Sequence, residues 1–127
     1  MEGMTRVLVL DDEPVVGERL KASLERAGFA VDAFSAGADA LIALRERHYD
    51  ILVTDLKMSS PDGMDVLREA QRTSPGIKSV VITGFATAET AEEAMRCGAV
   101  VFIAKPFKMS QLRALVSRLA DGKEESI

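Results

Sequence analysis

Residue types that build several kinds of functional site are scarce in this chain of 127 residues, which has one cysteine, one histidine, one tyrosine and no tryptophan. The lone cysteine, Cys97, cannot form a disulfide within the chain, so nothing in the sequence calls for an oxidising compartment. The lone histidine, His48, offers no basis for a zinc site or a histidine-based catalytic triad. Any chemistry in this chain must therefore rest on other side chains.

The chain also lacks an excess of positive charge and any long apolar run. Its formal net charge is −4, and acidic and basic residues are interspersed, which argues against a nucleic-acid-binding surface. Residues 1–6 do not resemble a signal peptide, and no apolar run approaches the roughly 20 residues that span a bilayer. We therefore expect a soluble, cytoplasmic domain without direct contact with membrane or nucleic acid.

The length and the balance of residue types fit a single globular domain. Hydrophobic residues make up 47% of the chain and charged residues 28%, which is enough apolar material for a core without disulfides or structural metals. We predict one domain over residues 1–121, followed by a polar tail or the start of a linker at 122–127.

Short β-branched runs alternate with longer segments of helical periodicity, and this pattern occurs five times. It predicts an α/β fold in which βαβ units build a parallel sheet. Continuously apolar runs are typical of strands covered on both faces, whereas the mixed run at 30–34 indicates an edge strand. The predicted strands lie near residues 6–10, 30–34, 51–54, 78–83 and 100–104, and the apolar ones among them include 51–54, 80–82 and 100–104.

Residues with strong end preferences mark the helices between these strands. Pro14 suits the first turn of a helix, and Gly28 suits the position just after its last turn. Ser35 is a candidate N-cap for the second helix, and Gly98 closes the fourth. The alanine and methionine spacing at 88–95 predicts core packing of that fourth helix.

Polar residues stand where four of the predicted strands end. Asp11 and Asp12 follow the first strand, Asp55 the third, Thr83 the fourth and Lys105 the fifth. Chemistry in a parallel sheet collects outside the carboxyl ends of the strands. Three carboxylates, a hydroxyl and an ammonium are therefore expected in one cleft, a combination that suits a divalent cation and a phosphoryl group.

The pattern of these ends, Asp-Asp, Asp, Thr and Lys-Pro, resembles the receiver domain of bacterial two-component response regulators over nearly the whole chain. The resemblance implies a flavodoxin-like, doubly wound (βα)5 fold with strand order 2-1-3-4-5 and five flanking helices. It also implies a signalling switch in a phosphorelay, which assists its own phosphorylation and dephosphorylation and is not a turnover enzyme.

The resemblance assigns each of these residues a role. Asp55 is the phosphoacceptor, and Asp11, Asp12 and Asp55, with the backbone carbonyl of Lys57, hold Mg²⁺. Three carboxylates, one ammonium and one divalent cation are then balanced in charge. Without a cation, neighbouring carboxylates would raise one another's pKa. Glu13 is assigned to the cap region of the first helix and not to the metal.

Further roles concern the phosphoryl group and the response to it. Thr83 and Lys105 contact the phosphoryl group, and Thr83 and Phe102 form the conformational switch. The Lys105–Pro106 peptide bond is expected to be cis, since this is usual in the family. The implied partners are a sensor histidine kinase or phosphotransfer protein, together with a second copy bound through the fourth helix, fifth strand and fifth helix.

Three alternatives use the same fold or the same chemistry. A flavin-binding electron carrier needs a hydroxyl- and glycine-rich phosphate loop after the first strand, where this chain has Asp11, Asp12 and Glu13. A phosphatase with an aspartyl-phosphate intermediate carries a second acid two residues after the nucleophile, where this chain has Lys57. A receiver-like domain that signals by protein contact alone would not need all five strand-end residues. The segment at 82–91 is similar to receivers of enhancer-binding transcription activators, so the chain is expected to be either the receiver of a transcriptional regulator or a single-domain regulator.

Overall fold

A computed structural model describes residues 4–56 and 58–122, and in them strands and helices alternate throughout. Each strand is five or six residues long, and each is followed by a helix. The elements are β1 (Arg6–Leu10), α1 (Pro14–Arg26), β2 (Ala30–Phe34), α2 (Gly37–Glu46), β3 (Ile51–Asp55), α3 (Gly63–Thr73), β4 (Lys78–Thr83), α4 (Ala88–Arg96), β5 (Ala99–Ala104) and α5 (Met109–Ala120).

The five strands form a single sheet in the order β2-β1-β3-β4-β5, and all neighbouring pairs are parallel. Consecutive parallel strands require crossover connections, and helices α1 to α4 supply the four of them. The flavodoxin-like (βα)5 fold and the strand order implied by the resemblance are thereby confirmed. The carboxyl ends of all strands point to one edge of the sheet, where the predicted site residues lie.

The core consists of two layers, one on each face of the sheet. On one face, Leu8 and Leu52 pack with the buried side chains of α2 and α3. On the other face, Val9 and Val53 pack with Leu20 of α1 and with buried residues of α5. Successive residues of a strand point to opposite faces, so a continuously apolar strand supplies both layers.

The two edge strands differ from the central ones in burial. The edge position predicted for 30–34 is confirmed, because β2 pairs only with β1. The expectation that 100–104 is covered on both faces is wrong: β5 pairs only with β4, and Val100 is 44% exposed. Core packing of the fourth helix is also only partly right, since Ala94 is its single fully buried residue and Met95 is 49% exposed.

Most of the predicted helix ends agree with the structure. Pro14 is the first residue of α1, and Gly28 follows its C-cap with a φ of 100°, a conformation that glycine adopts without strain. The N-cap prediction for Ser35 is wrong, because Ala36 occupies that position and α2 begins at Gly37. A Cβ at Gly37 would collide with the carbonyl oxygen of Pro61, so close packing fixes this helix start in place of a serine cap.

Two further predictions, on membrane spans and on the C-terminal tail, are tested only within the residues that the structure describes. Within 4–56 and 58–122, every helix is too short or too polar to cross a membrane. Residues 123–127, most of the predicted tail, lie outside the described residues.

A buried tyrosine ties the β2 edge to the loop before β3. Tyr49 is fully buried, and its hydroxyl donates a hydrogen bond of 2.6 Å to Oδ2 of Asp32 on β2. The guanidinium of Arg47 donates a second bond of 3.0 Å to the same oxygen. The hydrogen bond from Tyr49, against the opposing effect of burial and with help from Arg47, holds the pKa of Asp32 below its usual value.

Tyr49→Phe is expected to lower the free energy of unfolding by about 1.5 kcal/mol at neutral pH, because it removes a hydrogen bond to a charged group and keeps the ring. Because the folded pKa of Asp32 is depressed, this stabilisation is present above its unfolded pKa of about 3.9 and is lost as pH falls through the folded value. Urea unfolding followed by circular dichroism at neutral and acidic pH measures both effects. Equal stabilities at neutral pH would contradict the prediction.

Candidate functional site

The end of β1 places two acidic side chains in different surroundings. Asp11 is fully buried, and its Oδ1 accepts a 2.9 Å hydrogen bond from the backbone N–H of Glu13. Asp12 is exposed beside it. Glu13 is the N-cap residue of α1, as predicted, although its side chain makes no capping bond. The turn therefore presents one rigid and one solvent-facing carboxylate at the edge of the sheet.

Asp55 is the last residue of β3 and is 6% exposed. Its Oδ1 accepts a 2.7 Å hydrogen bond from the backbone N–H of Leu56. The hydroxyl of Thr54 donates a 2.8 Å bond to the carbonyl oxygen of Asp55. These bonds fix both the backbone and one carboxylate oxygen, so the other oxygen is the one held toward the cleft.

Gly63, the first residue of α3, is a positioning residue that sequence reasoning missed. A Cβ at this position would collide with the carbonyl oxygen of Asp55, so only glycine lets α3 begin directly against the end of β3. The Asp62-Gly63 pair was a visible signal, but it reads equally well as an ordinary turn. Asp62 caps α3 through a reciprocal pair of bonds with Asp65.

Gly63→Ala is expected to destabilise the fold by about 2 kcal/mol, because the new methyl group must displace backbone and not a flexible side-chain end. Gly17→Ala is the matched control, since a Cβ there meets no atom within 4 Å. Denaturant titration of both variants measures the difference. Equal loss of stability in the two would refute the packing argument.

Lys105 joins the acids of β1 and β3. Its ammonium donates hydrogen bonds of 2.9 Å to Oδ2 of Asp11 and 3.2 Å to Oδ2 of Asp55. Its backbone N–H donates a 2.8 Å bond to the carbonyl oxygen of Thr83, which holds the end of β5 against the end of β4. The Lys105–Pro106 bond is cis, as expected.

Thr83 and Phe102 lie on the last two strands, β4 and β5. Thr83 is fully buried and follows Ile82, the residue that pairs with Asp55 across the sheet. Its hydroxyl oxygen accepts a 3.0 Å hydrogen bond from the backbone N–H of Phe85. Phe102 is half-buried against the α2–α3 side of the core and lies two residues before Ala104, the partner of Thr83.

The three acids converge as the strand-end pattern predicted. Asp11, Asp12 and Asp55 each contribute a carboxylate oxygen to a cluster whose members lie within 4.8 Å of one another. Lys57, whose backbone carbonyl completes the implied metal shell, lies outside the described residues. The cluster has the hard oxygen ligands that Mg²⁺ prefers in proteins.

Burial and the charge of the ion-pair partner shift the pKa values of Asp55 and Lys105 in opposite directions. Burial raises the pKa of Asp55, and the nearby Asp11 adds to the rise, while the charge and hydrogen bond of Lys105 oppose it. Burial lowers the pKa of Lys105, but its hydrogen bond and charge interactions with Asp11 and Asp55 outweigh this and raise it. Lys105 is therefore a fixed positive charge, and the site without a further cation carries more negative than positive charge.

Comparison with known families decides the identity. The family model that describes the response regulator receiver domain matches residues 7–117, and this range includes every site residue named above. This chain belongs to the response regulator receiver family. Receiver domains are signalling switches of two-component systems, so the flavin-carrier and phosphatase alternatives are set aside.

Curated relatives of this receiver domain are transcriptional regulators. Regulatory protein AtoC of Escherichia coli is 32% identical over 118 residues, which cover 93% of this chain and 26% of that protein. Transcriptional regulatory protein ZraR of Salmonella typhimurium is 32% identical over 125 residues, or 98% of this chain and 28% of that protein. The chain thus spans about a quarter of the length of these relatives.

Solved structures share the fold over most of the chain. A CheY-like receiver domain protein from Methanospirillum hungatei matches with a TM-score of 0.91 and 24% identity, covering 96% of this receiver domain and 98% of that chain. A response regulator from Burkholderia pseudomallei, solved with a phosphorylated aspartic acid and a calcium ion, matches with a TM-score of 0.81 and 26% identity. The match covers 94% of the present chain and 73% of the Burkholderia chain.

Proposed function

We propose that Asp55 accepts a phosphoryl group from a sensor histidine kinase or a phosphotransfer protein. A carboxylate oxygen of Asp55 forms a bond to phosphorus, and the bond from phosphorus to the donor's imidazole nitrogen breaks, the nitrogen leaving with the electron pair. The observation that carries this proposal is the double contact of Lys105 with Asp11 and Asp55. It puts a permanent positive charge beside the acceptor oxygen.

Lys105 and Thr83 are proposed to hold the transferred group. Phosphoryl transfer needs positioning and charge stabilisation more than covalent help from the protein. The ammonium of Lys105 lies beside the acceptor oxygen of Asp55, where it can form an ion pair with the negatively charged phosphoryl group. Thr83 ends the neighbouring strand and has a hydroxyl proton to donate to a phosphoryl oxygen.

The acidic cluster is proposed to bind Mg²⁺ through Asp11, Asp12 and Asp55, with the backbone of Lys57 as a further ligand. The spacing of the three carboxylates supports this assignment, since ligands of one small cation must lie within a few ångströms of one another. When bound, the cation neutralises negative charge between the carboxylates and the incoming phosphoryl group. The Burkholderia relative was solved with both a calcium ion and a phosphorylated aspartic acid, which supports the combination of a divalent cation and an aspartyl phosphate.

Phosphorylation is proposed to shift an existing equilibrium between two conformers, with Thr83 and Phe102 as the switch. Phe102 is only half-buried, so an inward movement would bury more of its ring. It lacks a phenolic hydroxyl, so its part in the switch rests on packing. The domain would then assist its own phosphorylation and dephosphorylation without acting as a turnover enzyme.

The parent protein, the oligomeric state and the cellular compartment of the domain are part of the same proposal. The names of the curated relatives support a transcriptional regulator as the parent protein, and the net charge of −4 supports a domain that leaves DNA contact to other parts. A homodimer through α4, β5 and α5 is supported by exposed Met95 and Val100 on that face. Sedimentation with and without beryllofluoride tests the dimer. The unpaired thiol of Cys97 is in keeping with the cytoplasm.

The central experiment exposes the protein to acetyl phosphate with Mg²⁺ or with a chelator and follows its intact mass. We expect one added phosphoryl group with Mg²⁺ and very little without it. A receiver-like domain that signals by protein contact alone would stay unmodified in both conditions.

A further inference from the structure

The backbone of Phe85 is held from two sides by threonine hydroxyls. Its N–H donates a 3.0 Å hydrogen bond to Oγ1 of Thr83, at the end of β4. Its carbonyl oxygen accepts a 2.8 Å bond from the hydroxyl of Thr90, in the first turn of α4. One residue thus connects the buried hydroxyl of the candidate site with the start of a helix.

Thr90 has a choice of acceptors, and its single hydroxyl proton can serve only one of them at a time. The carbonyl oxygen of Phe85 lies 2.8 Å from Thr90 Oγ1, whereas the carbonyl and hydroxyl oxygens of Thr87 both lie 3.1 Å away. The shortest of these contacts is the one to Phe85. Thr90 Oγ1 also accepts a 3.0 Å bond from the N–H of Thr87, which fixes its position.

The helix at the other end of this connection is weakly anchored. Ala94 is the only fully buried residue of α4, whereas α3 buries five. Little apolar surface therefore opposes a shift of α4, and hydrogen bonds at its first turn have a large share in setting its position. Thr87 and Thr90 make all of the capping bonds described there.

We propose that Thr90 is a positioning residue that holds the loop between β4 and α4 in its resting conformation through the carbonyl oxygen of Phe85. This inference rests on the proposed function of Asp55. Displacement of the Thr83 hydroxyl toward a phosphoryl group on Asp55 lengthens its bond with Phe85 N–H. Where Phe85 follows the Thr83 hydroxyl, either the bond from Thr90 breaks or the start of α4 moves, because Thr90 holds the same residue.

Thr90→Val removes the hydroxyl and keeps the shape of the side chain. Because it removes a bond made in the resting conformer, it should shift the equilibrium toward the phosphorylated form, and by linkage any ligand that favours that form binds more tightly. We expect about a threefold to fivefold tighter apparent affinity for beryllofluoride at saturating Mg²⁺, the range given by losing the neutral hydrogen bond to Phe85. Amide NMR titration measures this affinity. Thr90→Val also removes the acceptor for the N–H of Thr87, which is one half of the capping pair of α4.

Two variants separate the contact with Phe85 from general capping of α4. Thr90→Ser keeps the hydroxyl and should bind beryllofluoride as the wild type does. Thr87→Val removes the oxygen that caps the N–H of Thr90 but leaves the bond from Thr90 to Phe85, and it too should bind as the wild type does.

The outcomes distinguish this inference from the proposed function. Unchanged or weaker binding by Thr90→Val, or equal tightening by Thr87→Val, would overturn the role of Thr90 while leaving Asp55 as the acceptor. A wild-type protein that fails to bind beryllofluoride would overturn the proposed function itself, and the inference with it.

Discussion

Asp55→Asn is expected to abolish the incorporation of a phosphoryl group from acetyl phosphate. The substitution keeps the size and planarity of the side chain, but an amide lacks the negative oxygen that attacks phosphorus. Intact-mass spectrometry after incubation with acetyl phosphate and Mg²⁺ gives the result directly. The wild type should gain one phosphoryl group and the variant none.

The variant should remain folded, since the neutral amide removes one negative charge from a cluster that still holds Asp11 and Asp12. Asp121→Asn, an exposed acid at the end of α5, is the matched control and should be phosphorylated as the wild type is. Phosphorylation of Asp55→Asn, or loss of phosphorylation in the control, would contradict the assignment of the acceptor.

Lys105→Met is expected to lower the free energy of unfolding by about 2 kcal/mol in the absence of a divalent cation. Methionine keeps the length of the side chain but leaves Asp11 and Asp55 without the positive charge that each now contacts. Breaking a fully buried ion pair costs roughly 3–5 kcal/mol, and the estimate is reduced here because the Lys105 side chain is 22% exposed. Urea unfolding measured with a chelator present gives the value.

The same variant makes a second, independent prediction about the cation. Added Mg²⁺ should recover part of the lost stability, because a ligand that binds only the folded state stabilises it. Lys108→Met is the control, since Lys108 is exposed at the start of α5 and has no side-chain capping bond.

We also expect that Lys105→Met no longer retains a phosphoryl group on Asp55, whereas Lys108→Met still does. Equal stability of the two variants would show that the contacts of Lys105 contribute little.

The elements of this fold could be predicted because local patterns and tertiary packing agree. The strand expected at 30–34 is β2, and the one expected at 51–54 is β3 with one further residue, Asp55. A parallel sheet covered by helices requires apolar residues on both faces of its central strands, and Val7 to Leu10 satisfy this requirement in consecutive positions. The polar residue that ends each run then stands out against its neighbours.

The predictions that failed concern positions where burial depends on distant parts of the chain. Val100 is as apolar as Val53 of β3, but its strand is at the edge of the sheet. Met95 follows the helical period of α4, yet only Ala94 of this helix is fully buried and Met95 is half-exposed. Ser35 is a good capping residue, but the contact between Gly37 and Pro61 determines where α2 begins.

The sequence by itself determined the alternation of strands and helices and the identity of the polar residues that close the strands, because both depend on neighbours a few positions away. Only the tertiary structure decided that Lys105 bridges Asp11 and Asp55, that Gly63 lies against the carbonyl of Asp55, and that Phe85 is held between two hydroxyls. These contacts join residues from different strands and loops. Their geometry is set by the order and twist of the sheet, which no local pattern of residues encodes.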